Sequence, residues 1–464
     1  MRLEDSARLS IRTQTFMSAA TDFISWFRQS APYIHAHRGR CFVVLIGGER
    51  LDAADFPALM HDLALLHALG VRVVLVYGAR PQIEALIAEQ GGASRYADGL
   101  RITDAIGLEA AKEAAGRLRV EIEALLSMGV AGSPMGGARL RVASGNFITA
   151  RPLGVLNGQD FEHTGEVRRV DAAGIRARLD ADDLILVSPL GYSPTGEIFN
   201  LSAEDVAVAI ATALQADKLI LSADLGAAAM PETLAAQGNG ADFLTPGEAE
   251  RWLEQGRLTP DTATAVAAAL HACRNGVRRA HLVDVAADGA LLRELFTRDG
   301  VGLLITSDQY EDIRPARIDD IAGIRELLIP LEEAGILVPR TPEHIELAIS
   351  DFMVIDRDGL IVGCAALHPL GDAEPGEPNW GELACLALRP EYRNSGRGDA
   401  LLQYVERRAG ALNLTQLVVL TTRTAHWFRE RGFVPGHLEE LPAHRQSVIN
   451  YRRNAKVFMK RLTA

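Results

Sequence analysis

The sequence predicts an α/β chain in two parts: an open, mostly parallel sheet, followed by a smaller domain on a mixed sheet. Three observations predict it. Between residues 41 and 305, continuous apolar runs alternate with helical stretches, and strands that lack polar alternation are buried on both faces of a parallel sheet. Near "SDQYEDIRPARIDDIAGIRELL" (307–328) that rhythm changes. Beyond it, two apolar runs meet at Asp358-Gly359, the signal of an antiparallel hairpin. At 464 residues the chain also exceeds one ordinary core.

Residues 1–20 are polar and are expected to form a flexible N-terminus. In 21–38, "TDFISWFRQSAPYIHAHR", Phe23, Ile24, Trp26, Phe27, Tyr33 and Ile34 mostly follow helical spacing, and Pro32 predicts a break. This helix either packs on its own domain or reaches a partner. Strands are expected at 41–46, 71–77, 183–190, 218–223 and 280–285, and helices at 55–69, 80–89, 106–127, 203–215 and 261–274. The first domain thus spans 21–305, a linker 306–312 and the second domain 313–464. In the latter the pattern gives a strand at 313–316, helices at 318–328 and 342–349, and the hairpin at 352–367. A strand (382–388), a helix (397–410), a strand (416–422) and a helix (424–431) follow.

Composition excludes several classes. A formal charge of −12 gives no bulk attraction for nucleic acid or an anionic membrane, so local arginine clusters mean local anion sites. Lysines are confined to Lys112, Lys218, Lys456 and Lys460, which limits where lysine chemistry can occur. The four cysteines are dispersed without a CxxC, as expected for buried reduced thiols in a cytoplasmic protein. No apolar run reaches the ~18 residues of a membrane span, and Glu4 and Asp5 argue against a secretory signal. No metal centre is expected.

The most informative stretch is "EYRNSGRGDALLQYVE" (391–406). It lies in a strand–loop–helix–strand unit, so a parallel crossover puts the loop at the strand's carboxyl end, where the helix starts. Free backbone N–H groups and the positive end of the helix favour an anion there. Gly396 and Gly398 let a ligand approach the backbone, and Arg393 and Arg397 add charge. The loop is therefore expected to bind phosphate. It is not a P-loop, since the chain contains no Gly-Lys pair.

The order of strands and helices around "RNSGRG", followed by "AHWFRERGF", resembles the GNAT acetyltransferases. That resemblance implies that Arg393, Asn394, Ser395, Gly396, Arg397 and Gly398 hold the pyrophosphate of acetyl-CoA. Leu386, Ala387 and Leu388 would meet its pantetheine arm and thioester. Longer blocks, including "WFRQSAPYIHAHRGRCFVVLIGGE", "LLRELFTRDGVG", "GCAALHP", "GELACLA" and "LTTRTAHWFRERGF", look like the bacterial N-acetylglutamate synthases, which fuse an amino-acid-kinase domain to a GNAT domain. The likeness implies acetyl transfer to L-glutamate, the first step of arginine biosynthesis, in a homo-oligomer, with a hexamer among the possibilities.

Residues 41–305 look most like acetylglutamate kinase, but the phosphate-handling residues differ. The kinases' K-x-G-G reads Leu45-Ile46-Gly47-Gly48 here, and their H-G-G-G reads Tyr77-Gly78-Ala79-Arg80. Phosphoryl transfer depends on positioned positive charge, so no kinase activity is expected. The resemblance instead implies an L-arginine sensor that mediates feedback inhibition, with Lys218, Glu294 and the turn at Gly300 as the matching residues.

Acyl transfer to an amine needs a proton acceptor. Glu382 is the one carboxylate of "ELACLAL", where partial desolvation favours a general base, and the resemblance supports that role. The thiolate acid is less defined. A tyrosine common in GNAT enzymes is Phe428 here, Thr421 is a substitute suggested by the synthase pattern, and the thiolate can also leave unaided. A diacid substrate needs cations. By resemblance of "NYRRNAKVFMK" to a synthase block, Arg453 is the first candidate clamp, with Lys456 beside it and Arg340 as a second candidate. Two other readings stay open: a bifunctional synthase and kinase, and a ligand-sensing protein-lysine acetyltransferase.

Overall fold

A computed structural model describes residues 24, 26–97, 99–128, 140–225, 243–256, 258–307, 311–371, 378–394, 396–442, 446 and 455–462. They form two compact units that divide near residue 308.

The first unit carries an eight-stranded sheet. Its strands are β1 (Cys41–Ile46), β2 (Arg72–Tyr77), β3 (Arg141–Ser144), β4 (Asp183–Val187), β5 (Lys218–Ser222), β6 (Phe243–Leu244), β7 (Arg279–Val283) and β8 (Leu303–Thr306). Their order is β6-β8-β7-β5-β1-β2-β4-β3, and every pair is parallel except β7 with β8. The apolar runs of β1 and β2 are explained by burial on both faces. Val43 and Leu45 enter one core, while Phe42, Val44 and Ile46 enter the other. Each such side chain, fully buried, contributes roughly 1.5–3 kcal/mol.

The helices of this unit include α1 (26–37), α2 (Phe56–Ala68), α3 (Arg80–Glu89), α4 (Ala105–Ser127), α5 (Ala203–Leu214), α6 (Pro260–Arg274) and α7 (Ala290–Phe296). α5 and α6 cover the Val43 face; α2, α3, α4 and α7 cover the other. Side-chain caps set two of the starts: Asp104 accepts from Gly107 N at α4, and Ser202 accepts from Asp205 N at α5. A second sheet, formed by Ile148–Pro152, Gly165–Val170, Leu190–Tyr192 and Ile198–Asn200, was not evident in the sequence.

Pro32 does not break α1. The helix runs through it because tertiary contacts outweigh the lost hydrogen bond: Tyr33 and Ile34 pack on the core, and His37 is buried against Phe42 and Phe296.

The second unit is a seven-stranded sheet of β9 (Glu311–Pro315), β10 (Phe352–Arg357), β11 (Leu360–Pro369), β12 (Trp380–Leu388), β13 (Gln416–Thr421), β14 (Val434–Pro435) and β15 (Lys456–Arg461), ordered β9-β10-β11-β12-β13-β15-β14. Only β12 with β13 is parallel. The Asp358-Gly359 turn has φ of 49° and 85°, the left-handed pair that such a tight hairpin needs. One face is covered by α8 (Ile321–Glu333) and α9 (Pro342–Leu347), the other by α10 (Arg397–Ala411) and α11 (Ala425–Glu430). Both ends of the expected 306–312 linker are strand, since β8 ends at Thr306 and β9 begins at Glu311.

Among the described residues, no helix is long and apolar enough to cross a membrane. The cysteines are free; Cys273, Cys364 and Cys385 are buried and Cys41 is half-buried.

Candidate active site

The site begins where two parallel strands part. β12 pairs with β13 only through Trp380–Gln416, Gly381–Leu417 and Glu382–Val418. Beyond Glu382, β12 remains paired to β11, and β13 stays with β15 as far as Thr421. The strands therefore leave a cleft along one edge of Leu383–Leu388. A bulge bends β12 inside this stretch. Cys385 and Leu386 oppose the single residue Ala365, and Cys385 adopts φ 52°. The bulge shifts the alternation, so Leu386 and Leu388 face α10 whereas Ala384, Cys385 and Ala387 face α8.

The expected anion site falls on the first turn of α10. Gly396 is its N-cap with φ 74°, and no side chain caps it. Asn394 is also left-handed, at φ 60°. Gly398 packs closely: a Cβ there would lie 3.2 Å from the Trp427 ring. Arg393 is exposed and donates from Nε to Leu388 O at 3.2 Å.

Arg397 departs from expectation. Its guanidinium is buried and donates to both oxygens of Glu311, Nε to Oε1 at 2.8 Å and a terminal nitrogen to Oε2 at 2.7 Å. Arg357 donates to the same Oε2 at 3.1 Å, and both guanidinium groups lie over Tyr392. Arg397 thus ties the first turn of α10 to β9. From the other side Asp399 pairs with Arg431 of the α11 end, which stacks 3.9 Å over Trp427.

Glu382 is 9% exposed and sits at the mouth of the cleft. On β11 its cross-strand partner is His368, whose Nδ1 lies 2.8 Å from Asp351 Oδ2. Arg340, Glu332 and Glu382 all act electrostatically on Cys385, so the structure brings Arg340 near the bulge. Arg340 is tied down by its backbone N–H to Glu332 (3.0 Å). Burial pushes the Cys385 thiol up to about 11 and the Cys364 thiol well above its ordinary value, so neither is a thiolate nucleophile near neutrality.

Thr421 ends β13 on the opposite wall. Its hydroxyl is 2.8 Å from Thr424 Oγ1 and accepts from Thr424 N at 3.1 Å. Lys456 is its exposed partner on β15. Ser395 and Arg453 lie outside the described residues. Also among the described residues, no cluster of His, Cys, Asp and Glu could hold a metal.

In the first unit, Lys218, Glu294 and Gly300 meet through His281, a residue outside the blocks that carry the resemblance. His281 Nε2 lies 3.0 Å from Lys218 Nζ, and its Nδ1 lies 2.5 Å from Glu294 Oε1. The other Glu294 oxygen accepts from Val301 N and Gly302 N at 2.7 and 2.8 Å. Gly300 has φ 63°, and a Cβ on it would come within 2.4 Å of Glu294 Oε2. Burial and the Lys218 charge lower His281 to about 4. Burial opposes ionisation of Glu294, but hydrogen bonds from His281 and the two amides prevail and hold its carboxyl at about 2. A neutral imidazole thus bridges an ammonium and a carboxylate.

The kinase-like loops are packed on each other. Leu45 is buried in β1, Gly47 N donates to Ser222 Oγ, and a Cβ on Gly78 would lie 2.9 Å from Gly48 N. Arg50 is paired with Asp55 at 2.6 Å.

Two families match this chain: the amino acid kinase family over residues 40–284 and the acetyltransferase (GNAT) family over residues 321–433. The chain is 54% identical over 442 residues to the amino-acid acetyltransferase of Azotobacter vinelandii, covering 95% of this chain and 100% of that one. The Pseudomonas putida amino-acid acetyltransferase is similar at 53%, with the same coverage. A solved structure, N-acetylglutamate synthase from Neisseria gonorrhoeae complexed with coenzyme A and L-arginine, is 36% identical at a TM-score of 0.81, covering 95% of this chain and 100% of that one. The same protein complexed with coenzyme A and N-acetyl-glutamate is 37% identical, with equal coverage and a TM-score of 0.59.

Proposed function

The chain belongs to the amino-acid acetyltransferases, enzymes of the kinase-like plus GNAT architecture, and on that premise we propose that its acceptor is L-glutamate and its inhibitor L-arginine. The observation that carries the reading is the cleft between β12 and β13, with Glu382 at its mouth and the uncapped first turn of α10 beyond it. The gonococcal synthase, at 36–37% identity, holds N-acetyl-glutamate in one structure and L-arginine in another, which supports both ligands here.

The diphosphate of acetyl-CoA rests on the amides from Gly396 to Asp399, assisted by Arg393, Asn394 and Ser395. The pantetheine lies along Leu386–Leu388, whose amides polarise the acetyl carbonyl as charge develops on its oxygen. Glu382 takes a proton from the α-ammonium, directly or through water, and frees the lone pair for attack. The tetrahedral intermediate expels the thiolate, with Thr421 near enough to the cleft to assist. Arg340, Arg453 and Lys456 bind the two carboxylates. L-arginine binds the first unit at Lys218, Glu294 and Gly300. Trp26 and Phe27 on α1, and Ile24 just before it, are exposed, which supports assembly into a homo-oligomer through that helix.

Acetyl-CoA consumption measured with each amino acid in turn, with and without millimolar arginine, tests this. Glutamate is expected to be used most efficiently, and arginine to slow it. Preference for another acceptor, or equal rates with and without arginine, would refute the corresponding half.

A further inference from the structure

The stoichiometry of the reaction requires an outlet for a proton. An α-ammonium nitrogen carries three hydrogens and the product amide keeps one. Of the two that leave, one ends on the CoA thiol and the other must reach solvent. Glu382 accepts a proton but is 9% exposed, so it needs a route to discharge before the next turnover.

We propose that His368, oriented by Asp351, carries that proton from Glu382 to water. This rests on the assignment of Glu382 as the base. His368 and Glu382 are direct cross-strand partners on β11 and β12. Such partners share a face, with Cβ atoms about 4.5–5.5 Å apart. The face is independently marked: Phe352, one of its core residues, meets the His368 ring edge-on at 6.3 Å, and Phe352 pairs with Ala366 two residues earlier on the same strand.

Asp351 decides the tautomer. Its carboxylate accepts from Nδ1 at 2.8 Å, which leaves Nε2 of the neutral ring with its lone pair. Asp351 is itself fixed at the junction with β10, and Ser350 beside it accepts from Arg408 at 2.6 Å. The His368 side chain is 27% exposed, so it spans the distance between a buried acceptor and solvent. Glu332 and Arg340, which act on Cys385, and Arg408, which donates to Ser350 O, are charged groups near this face.

The steps balance. An ammonium N–H bond breaks as an O–H bond forms on Glu382. That O–H then breaks as N–H forms at His368 Nε2, and the imidazolium is stabilised by Asp351. Water takes the proton from Nε2, restoring the neutral ring and the carboxylate.

The test uses the full-length enzyme with His368→Ala, His368→Gln and Glu382→Gln, in a bulky buffer with and without imidazole. His368→Ala is expected to lower kcat about tenfold or more, leave the KM for glutamate and the affinity for CoA within about twofold, and recover with added imidazole in a saturable manner. His368→Gln keeps an N–H for Asp351 but cannot relay, so it should lose kcat without unfolding. Parental kcat in both His368 variants, or a loss that imidazole does not restore in protein that still binds CoA, overturns the relay. Parental activity in Glu382→Gln would instead remove the base on which the relay rests, whereas an inactive Glu382→Gln beside fully active His368 variants removes the relay alone.

Discussion

His281 shows how much of a site can depend on a residue with no motif of its own. Lys218 and Glu294 were recognisable because similar blocks carry them, but the imidazole between them sits in "AHLVDV", an ordinary buried strand by pattern. Only the β5–β7 register, which sets Ile220 beside His281, brings it close to Lys218. Its neutrality predicts a pH dependence. Burial holds His281 at about 4, and His37 likewise at about 4, against 6.5 when exposed. The unfolded chain therefore takes up protons first as pH falls. The stabilisation from each neutral histidine is complete above pH 6.5 and is lost progressively towards pH 4, on the order of 3 kcal/mol per site at most. The thermal midpoint of the first unit should therefore fall between pH 7.5 and pH 5, and His281→Gln should flatten that fall. Identical slopes in parent and variant would refute the assignment of a neutral His281.

Elements were more legible than their joints. Strand and helix positions followed from apolar periodicity because each buries a defined face. The bulge at Cys385 is invisible in "ELACLAL", since alternation there looks unbroken until β11 supplies the register. The end of β12–β13 pairing after Glu382 is equally a property of the neighbours. The glycines and arginines of the expected phosphate loop stood out in the sequence, but the partner of Arg397 did not, because Glu311 lies on a strand 86 residues earlier. That pair has a consequence for α10. Glu311 is the shared acceptor of Arg397 and Arg357, which are 5% and 1% exposed. Glu311→Gln would leave two buried guanidinium groups without their carboxylate, a loss of about 3–5 kcal/mol by analogy with broken buried pairs. The first turn of α10 would lose its anchor on β9, weakening CoA binding about tenfold, or 1.4 kcal/mol. Calorimetric CoA binding and thermal unfolding of the variant measure both effects. Unchanged CoA affinity would mean that the amides hold their direction without the clamp.

For the whole molecule, net charge argued against bulk attraction to polyanions, and the change of pattern near residue 307 separated two units with their own cores. Neither could reveal whether a ligand on one unit is felt by the other, since coupling is a difference in free energy between states. If L-arginine inhibits through the first unit, thermodynamics imposes a condition that needs no assumption about the path. Whatever factor arginine applies to the affinity for CoA, CoA must apply to the affinity for arginine. Coupling of this kind is commonly about 1–3 kcal/mol, or roughly 5- to 150-fold. Titrating arginine into the protein with and without saturating CoA, and CoA with and without saturating arginine, should return two equal ratios. Ratios of one in both directions, alongside arginine inhibition of turnover, would mean that the effector acts on the rate of a step or on the acceptor. Repeating the titrations with N-acetylglutamate and CoA together would distinguish those two cases, because only coupling to the acceptor site would restore a ratio different from one.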